Sequence, residues 1–420
     1  MRRDVRLRRL LGIVVVALAL TAPALASAAQ KSGAKKVNYN AVYTTSNDPS
    51  GNSVIVFSRA ANGMLTQRKV VSTGGKGIKS TAPFGFPIVD SSGSVNLTAD
   101  GKLLFVVNSG DNSVSSFQVT ASGPKLVSHV SSHGKLPISL TSSGDLLYVV
   151  NETSANIYGW KFSSTGKLTP VAGSKRKLTA VTPKGKKDKV GVTAGIGFAD
   201  NGGVIVVTQR GLPRTYGEID TFVISHNGSA GASQAFATPG IANPFGFSAS
   251  GKQILVSNAG FVATPSGAEP NPMDPTQFNG SAATYNVSAA GKVKLVKNTA
   301  TNGRAACWLV VSKDGRWAYV SNTLSDSVPD TFTGKGSVSV MSVGHGGKMT
   351  LKGQGDAGGM GFPSDEALSS NDHYLYVVDP FVMGGPSHID VYKVGSNGSI
   401  THIQTTPSTL PNGVSGAGAF

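Results

Sequence analysis

Leu147-Tyr148-Val149-Val150-Asn151 is an apolar run closed by an amide, preceded by a tight turn at Ser142-Ser143-Gly144-Asp145. It is too short for a helix, and its aromatic and β-branched side chains favour extended backbone, so it reads as a buried strand. The same phrase returns as Val42 to Asn47, Leu104 to Asn108, Val204 to Thr208, Ile254 to Asn258, Ala318 to Asn322 and Leu375 to Asp379. Its terminal polar residues, at 47, 108, 151, 208, 258, 322 and 379, are separated by 61, 43, 57, 50, 64 and 57 residues. A repeat of that length built from strands alone fits one propeller blade with loop insertions. The expectation is an all-β, seven-bladed β-propeller with four-stranded antiparallel blades.

Working outward, the first copy lacks a preceding strand, whereas Gly413 to Phe420 reads as a first strand with nothing after it. Pairing the two ends removes both free edges, so residues 412–420 are expected to complete blade 1 (40–72) and close the ring. The other blades are expected at 93–130, 137–172, 191–237, 243–297, 306–352 and 363–404, forming one domain over 40–420.

The turns separate two faces. First and second strands are joined by short pairs such as Asp100-Gly101 and Asp314-Gly315. Third and fourth strands are joined by Asn62-Gly63, Ser122-Gly123, Thr165-Gly166, Asn227-Gly228, Ala290-Gly291, Gly346-Gly347 and Asn397-Gly398, which suit tight hairpins. The long insertions fall at 209–217, 259–280, 323–336 and 380–387 between second and third strands. Between blades they fall at 72–92, 173–191, 297–306 and 353–363. Both kinds emerge on one side of an antiparallel disc, so that decorated side is the expected binding face.

Before the repeats stand five arginines, an eleven-residue apolar run from Leu10 to Leu20, and the small-residue sites Ala24-Leu25-Ala26 and Ala26-Ser27-Ala28. The run is too short to span a bilayer, so residues 1–28 read as a cleaved secretory signal and 29–39 as a flexible lead-in. This predicts a secreted or envelope protein with no transmembrane segment after cleavage, expected as a monomer. Removing residues 1–26 lowers the net charge of +16 by four, to +12. Such a charge favours anionic partners, among them cell-wall polymers. Basic residues cluster at Lys175, Arg176, Lys177, Lys184, Lys186, Lys187 and Lys189, without interleaved aromatics, so nucleic acid is not the expected partner. The single cysteine, Cys307, excludes an internal disulfide and sits in an apolar run, where it reads as a buried structural thiol.

Candidate chemistry follows from the ring. The second strands end on Asn108, Asn151, Asn258, Asn322 and Asp379, and the first strands of blades 6 and 7 begin near Arg304, Asp365 and Glu366. Arg210 follows the second strand of blade 4. Carboxylates facing arginines across the channel mouth can hold a polar ring and activate water. Asn at a strand end can equally cap its own turn. Asp365 and Glu366 are neighbours on a strand, so at most one faces the channel. No histidine pair has metal-ligand spacing, and neither a metal nor a cofactor is expected.

Asn243-Pro244-Phe245-Gly246-Phe247, Val206 to Arg210, Ser92 to Leu97 and Ala306-Cys307-Trp308 through Ser321-Asn322 resemble the lactonase-family seven-bladed propellers of bacteria, over about residues 40–420. The family includes 6-phosphogluconolactonase and is related to carboxymuconate cyclase. The resemblance implies a lactone or related small polar ligand on the propeller face. From the residues at the channel mouth, a catalytic chain is expected to use Arg210 and Arg304 at the carbonyl or an anionic substituent and one of Asp365, Glu366 or Asp379 at water, with Asn108, Asn151, Asn258 and Asn322 as binding residues. The chain departs from the enzyme pattern in having no His on an inner strand and Gln209-Arg210 in blade 4. The alternative is a non-catalytic propeller docking an anionic polymer or a protein.

Overall fold

The computed structural model describes residues 40–78, 89–180, 191–211, 217–260, 279–324, 336–355, 361–380, 387–407 and 409–420. The expected leader, the lead-in and most of the basic cluster lie outside them. Val37–Phe420 form one compact unit. It is a seven-bladed propeller, and no α-helix occurs among the described residues.

Each blade is an antiparallel sheet whose strands run outward from the axis in chain order. Blade 2 is Val95–Leu97, Leu103–Asn108, Ser113–Thr120 and Gly123–Ser131. Blade 3 is Pro137–Ser143, Leu146–Asn151 and Asn156–Phe162, with its outer position divided between Leu168–Pro170 and Arg176–Lys177. Blade 4 is Val192–Ala199, Val204–Arg210, Gly217–Val223 and Gln234–Thr238; blade 5 is Pro244–Ser250, Gln253–Asn258, Ser281–Val287 and Val293–Ala300. Blade 6 is Arg304–Val311, Trp317–Leu324, Ser337–Val343 and Met349–Gly355; blade 7 is Ser364–Leu368, Tyr374–Asp379, His388–Val394 and Ile400–Thr405. Blade 1 takes its inner strand from the far end of the chain: Ser415–Ala419 pairs with Ala41–Thr45, followed by Ser53–Arg59 and Leu65–Ser72. The seven inner strands touch one another in an unbroken circle.

The repeated phrase is the second strand of each blade. It carries sheet on both sides, so both of its faces are buried and its apolar run is continuous rather than alternating. Outer strands such as Leu65–Ser72 are largely exposed and contain the polar residues. Seven apolar clusters fill the seven blade-to-blade interfaces; Phe105, Leu147 and Trp160, for example, join blades 2 and 3.

The hairpin glycines of the tight-turn face also join blades. A hydroxyl in one blade donates to the hairpin carbonyl of the next: Ser116 to Gly166 (2.6 Å), Thr221 to Gly291 (2.7 Å), Thr284 to Gly347 (2.6 Å) and Tyr319 to Gly398 (3.1 Å). Tyr376 closes the circle on Gly63 at 3.2 Å. Gly63 has φ +87°, and a Cβ there would lie 2.1 Å from the Tyr374 ring. No other residue fits that turn.

The long insertions leave from the opposite face as expected. The exception is 297–306, where strand runs to Ala300 and resumes at Arg304. Every inner strand except Val95–Leu97 has a register shift near the decorated face, a β-bulge that re-aims the side chains there.

Candidate functional site

The decorated mouth of the channel is crossed by Val89–Gly93, the end of the connection from blade 1 to blade 2. Its small residues fit among the inner strands, and its backbone is held from most of the circle. Ser92 N–H donates to Ala194 O (2.8 Å), and Leu140 N–H donates to Gly93 O (2.9 Å). Ser91 Oγ donates to Ile138 O (2.6 Å), and the Trp308 indole N–H donates to Ser91 O (3.1 Å). Gly93 N–H donates to the Asp365 carboxylate (3.2 Å), and Ser415 Oγ to Val89 O (3.4 Å). In blade 5 the contact is with Gly246, where an added Cβ would sit 3.1 Å from Ser92. The segment therefore touches every blade other than its own and closes the channel.

Asp90, within that segment, forms an ion pair with Arg210, which also donates from Nη2 to Asp90 O (3.3 Å). Arg210 is buried at the end of its strand, with its guanidinium 5.1 Å from the centre of the Phe245 ring. Trp308 packs on Phe245, and Cys307 lies in the same apolar cluster. Burial there, with the Asp90 charge nearby, pushes the Cys307 thiol up to about 12, so it is a packed thiol and not a nucleophile.

Glu152 completes this cluster. It follows Asn151 at the end of the second strand of blade 3 and is half-buried, and its Oε2 makes no hydrogen bond among the described residues. Burial raises its carboxyl to about 7; Arg210 opposes the shift and Asp90 adds to it. Arg304 begins blade 6 across the circle, half-buried, with a buried Nη1 that also lacks a hydrogen-bond partner among the described residues.

The remaining predicted residues are placed differently. Asp365 occupies the bulge of blade 7 at φ +47°, and its carboxylate accepts from Gly93 and Glu366 N–H. It braces the crossing segment rather than opening to the mouth. The bulge turns Glu366 to the other side of that segment, where it lines the channel towards the tight-turn face and accepts from Ser321 Oγ at 2.5 Å. Burial raises Asp365 to about 7 and Glu366 to about 8, the latter also through Asp365.

Asn108, Asn151 and Asn322 turn towards the inter-blade connections and not the axis. Asn108 Nδ2 donates to Ser113 and Ser115, and Asn322 Nδ2 to Ser337 (3.1 Å) and Ser339 (2.8 Å). Those serines continue the chain: Ser115 donates to Thr73 O (2.7 Å) and Ser339 to Thr301 O (2.8 Å). Asn151 Nδ2 reaches Ser132 O directly (3.1 Å). Asn258 is held by Val256 O and Ser281. Asn108, Asn151 and Asn322 thereby satisfy, directly or through a serine, a backbone carbonyl of the connection that would otherwise be buried unpaired, whereas Asn258 stays within its own sheet. In blade 7 Asp379 likewise pairs backbone of the connection, accepting from Gly361 and Phe362 N–H, and lies 3.7 Å from His388 Nε2. Beyond it, Asp390 lies between His388 and His402.

The sequence reading missed Asp90 and Glu152. Glu152 follows the amide that ends a second strand, where the other blades place Asp48, Ser109, Gln209, Ala259, Thr323 and Pro380. That position carried the signal. Nothing near Asp90 marks a partner 120 residues away.

Residues 41–180 match the family model described as Lactonase, 7-bladed beta-propeller. No curated protein matches the chain. Among solved structures, a candidate 6-phosphogluconolactonase from Bacteroides fragilis is 17% identical at TM-score 0.61, covering 92% of this chain and 99% of its own. The periplasmic gluconolactonase of Pseudomonas aeruginosa is 15% identical at TM-score 0.62, covering 89% and 98%. A protein from Lactobacillus plantarum is 15% identical at TM-score 0.62, covering 90% and 98%. At these identities the likeness concerns the fold.

Proposed function

We propose that the chain is an exported lactone hydrolase whose reaction takes place at the decorated mouth of the channel. The family match over 41–180 supports the reaction class. The observation that carries the site is Glu152: a half-buried carboxyl with an unpartnered oxygen, raised to about 7, beside a buried Arg210–Asp90 pair. A base poised near neutrality suits removal of a proton from attacking water. Water adds to the lactone carbonyl as Glu152 takes its proton. The ring C–O bond then breaks, and the leaving alkoxide is protonated to give the hydroxy acid. Arg304 supplies positive charge for the developing oxyanion. Arg210 acts through the field it sets at Glu152, because its guanidinium is already committed to Asp90.

The test is hydrolysis of sugar and aromatic lactones by protein from residue 29 onward, beside Glu152→Gln and Arg304→Ala. A loss of about 10²-fold or more in Glu152→Gln, the range expected for removing a general base, supports the site. Equal turnover in all three proteins refutes it. A second reading is favoured by the closed channel and the charge of +12: docking of an anionic wall polymer across the basic face. No turnover on any lactone, with salt-sensitive retention on a polyanionic resin, selects that reading.

A further inference from the structure

Below the Val89–Gly93 segment the channel forms a blind cup that opens on the tight-turn face. One lobe, about 530 Å³, has Ser92 and Gly93 as its floor and Asn96, Ser142, Gly197 and Phe247 among its walls. A second lobe, about 360 Å³, is lined by Asn96, Ser248, Val310, Glu366 and Ala367. Asn96 stands in both. Their size is that of small-molecule pockets. Gly197 seats the Phe247 ring, since a Cβ there would lie 2.7 Å from it.

The polar groups of the cup are directed and incompletely used. Asn96 Oδ1 accepts from Ser142 Oγ (2.6 Å), which fixes the amide and leaves its NH₂ to donate. Glu366 is buried; its Oε1 makes no close hydrogen bond among the described residues, and the Val310 and Ser321 backbone N–H groups are further donors to its carboxyl. A buried polar atom in that state calls for a partner. At the rim, the Lys313 ammonium donates to Ser370 O, and the Asp372 carboxylate accepts from the Lys313 backbone N–H at 2.7 Å. Burial raises Glu366 to about 8, which favours its neutral form at pH 7. Lys313 and Asp372 bring one charge of each sign to the second lobe, so it offers no net counter-charge to a cation or an anion. A ring with one apolar face finds Phe247, and its hydroxyls find Asn96 and Glu366.

We propose that this cup is a second binding site, separate from the decorated mouth, for a neutral polyhydroxylated ring of monosaccharide size. Saturation-transfer NMR on the full chain with D-glucose and myo-inositol tests it, with glucose 6-phosphate as the charged comparison. Transfer to either neutral ring is expected, with at least tenfold weaker binding of the phosphate. Ala249→Trp, which fills the first lobe from an exposed position, should abolish the transfer, and Ser142→Leu, which frees Asn96, should weaken it at least fivefold. Glu152→Gln should leave it unchanged. Absence of transfer from both neutral rings overturns the proposal. So does undiminished transfer in folded Ala249→Trp and Ser142→Leu, or loss in Glu152→Gln, which would put the ring at the opposite face.

Discussion

Arg210 and Glu152 lie in one cluster, yet their substitutions should read out differently. Arg210→Ala removes the ion-pair partner of Asp90, which sits almost buried in the crossing segment. Stranding a buried charge costs roughly 3–5 kcal/mol, so denaturant unfolding should show a loss of that order. Any fall in activity in that variant is then confounded with stability. Glu152→Gln removes a carboxyl that burial disfavours when ionised, so its stability at pH 8 should stay within about 0.5 kcal/mol of the parent, or rise, while turnover falls. In the parent, the lactonase rate should climb with pH through about 7 as Glu152 loses its proton. A rate independent of pH between 6 and 8 would remove Glu152 from the role of base. Arg210 was legible because it extends a repeated strand. The Asn side chains were legible as a series, but their direction was not. The backbone groups they satisfy belong to connections whose course the repeat does not encode.

At the scale of elements, the crossing segment converts an open propeller axis into two separate compartments. Its hold depends on many single hydrogen bonds, each worth about 1 kcal/mol. Trp308→Phe keeps an aromatic side chain but deletes the indole donor to Ser91 O together with part of the buried volume. The expected result is a stability loss of at least about 1 kcal/mol and faster hydrogen exchange at Leu140 N–H, which is bonded to Gly93 O. Unchanged exchange at Leu140 would show that the segment is held without the indole. The sequence placed residues 72–92 as a loop on the decorated face. It contained no sign that 89–93 turns inward, because a run of Val, Asp, Ser, Ser and Gly satisfies a surface loop equally well. The strands themselves were legible for the opposite reason: a second strand sandwiched between sheets must be apolar along its whole length.

For the molecule as a whole, Glu152, Asp220 and Asp365 are each raised to about 7 and Glu366 to about 8, all first by burial. Their folded-state values exceed the ordinary 3.8 to 4.5, so the native state holds protons that the unfolded chain releases. Stability is full below about pH 4 for these groups and declines as pH rises through about 7 to 8, by up to about 1.4 kcal/mol per group per pH unit. The melting temperature should accordingly be higher at pH 5 than at pH 8. A flat profile would mean that these carboxyls are ionised in the fold without cost. Removing residues 412–420 deletes the inner strand of blade 1 and exposes the edge of Ala41–Thr45. The expected product is aggregated or lacks a cooperative melting transition, and a parent-like transition would show that the ring tolerates a gap. Ring closure was legible because counting strands left one vacancy at the start and one surplus at the end. The closure has a further consequence. Phe420 N–H donates to Ala41 O at 3.0 Å, and the Arg59 guanidinium spans Asn40 Oδ1 (2.9 Å) and Phe420 O (3.2 Å). Residues 40 and 420 are thus neighbours in one sheet, and a short linker can fuse them. The order in which the blades are synthesised then becomes a free variable, and a circularly permuted chain opened at Gly144, where even an added Cβ meets open space, retains the contacts between blades.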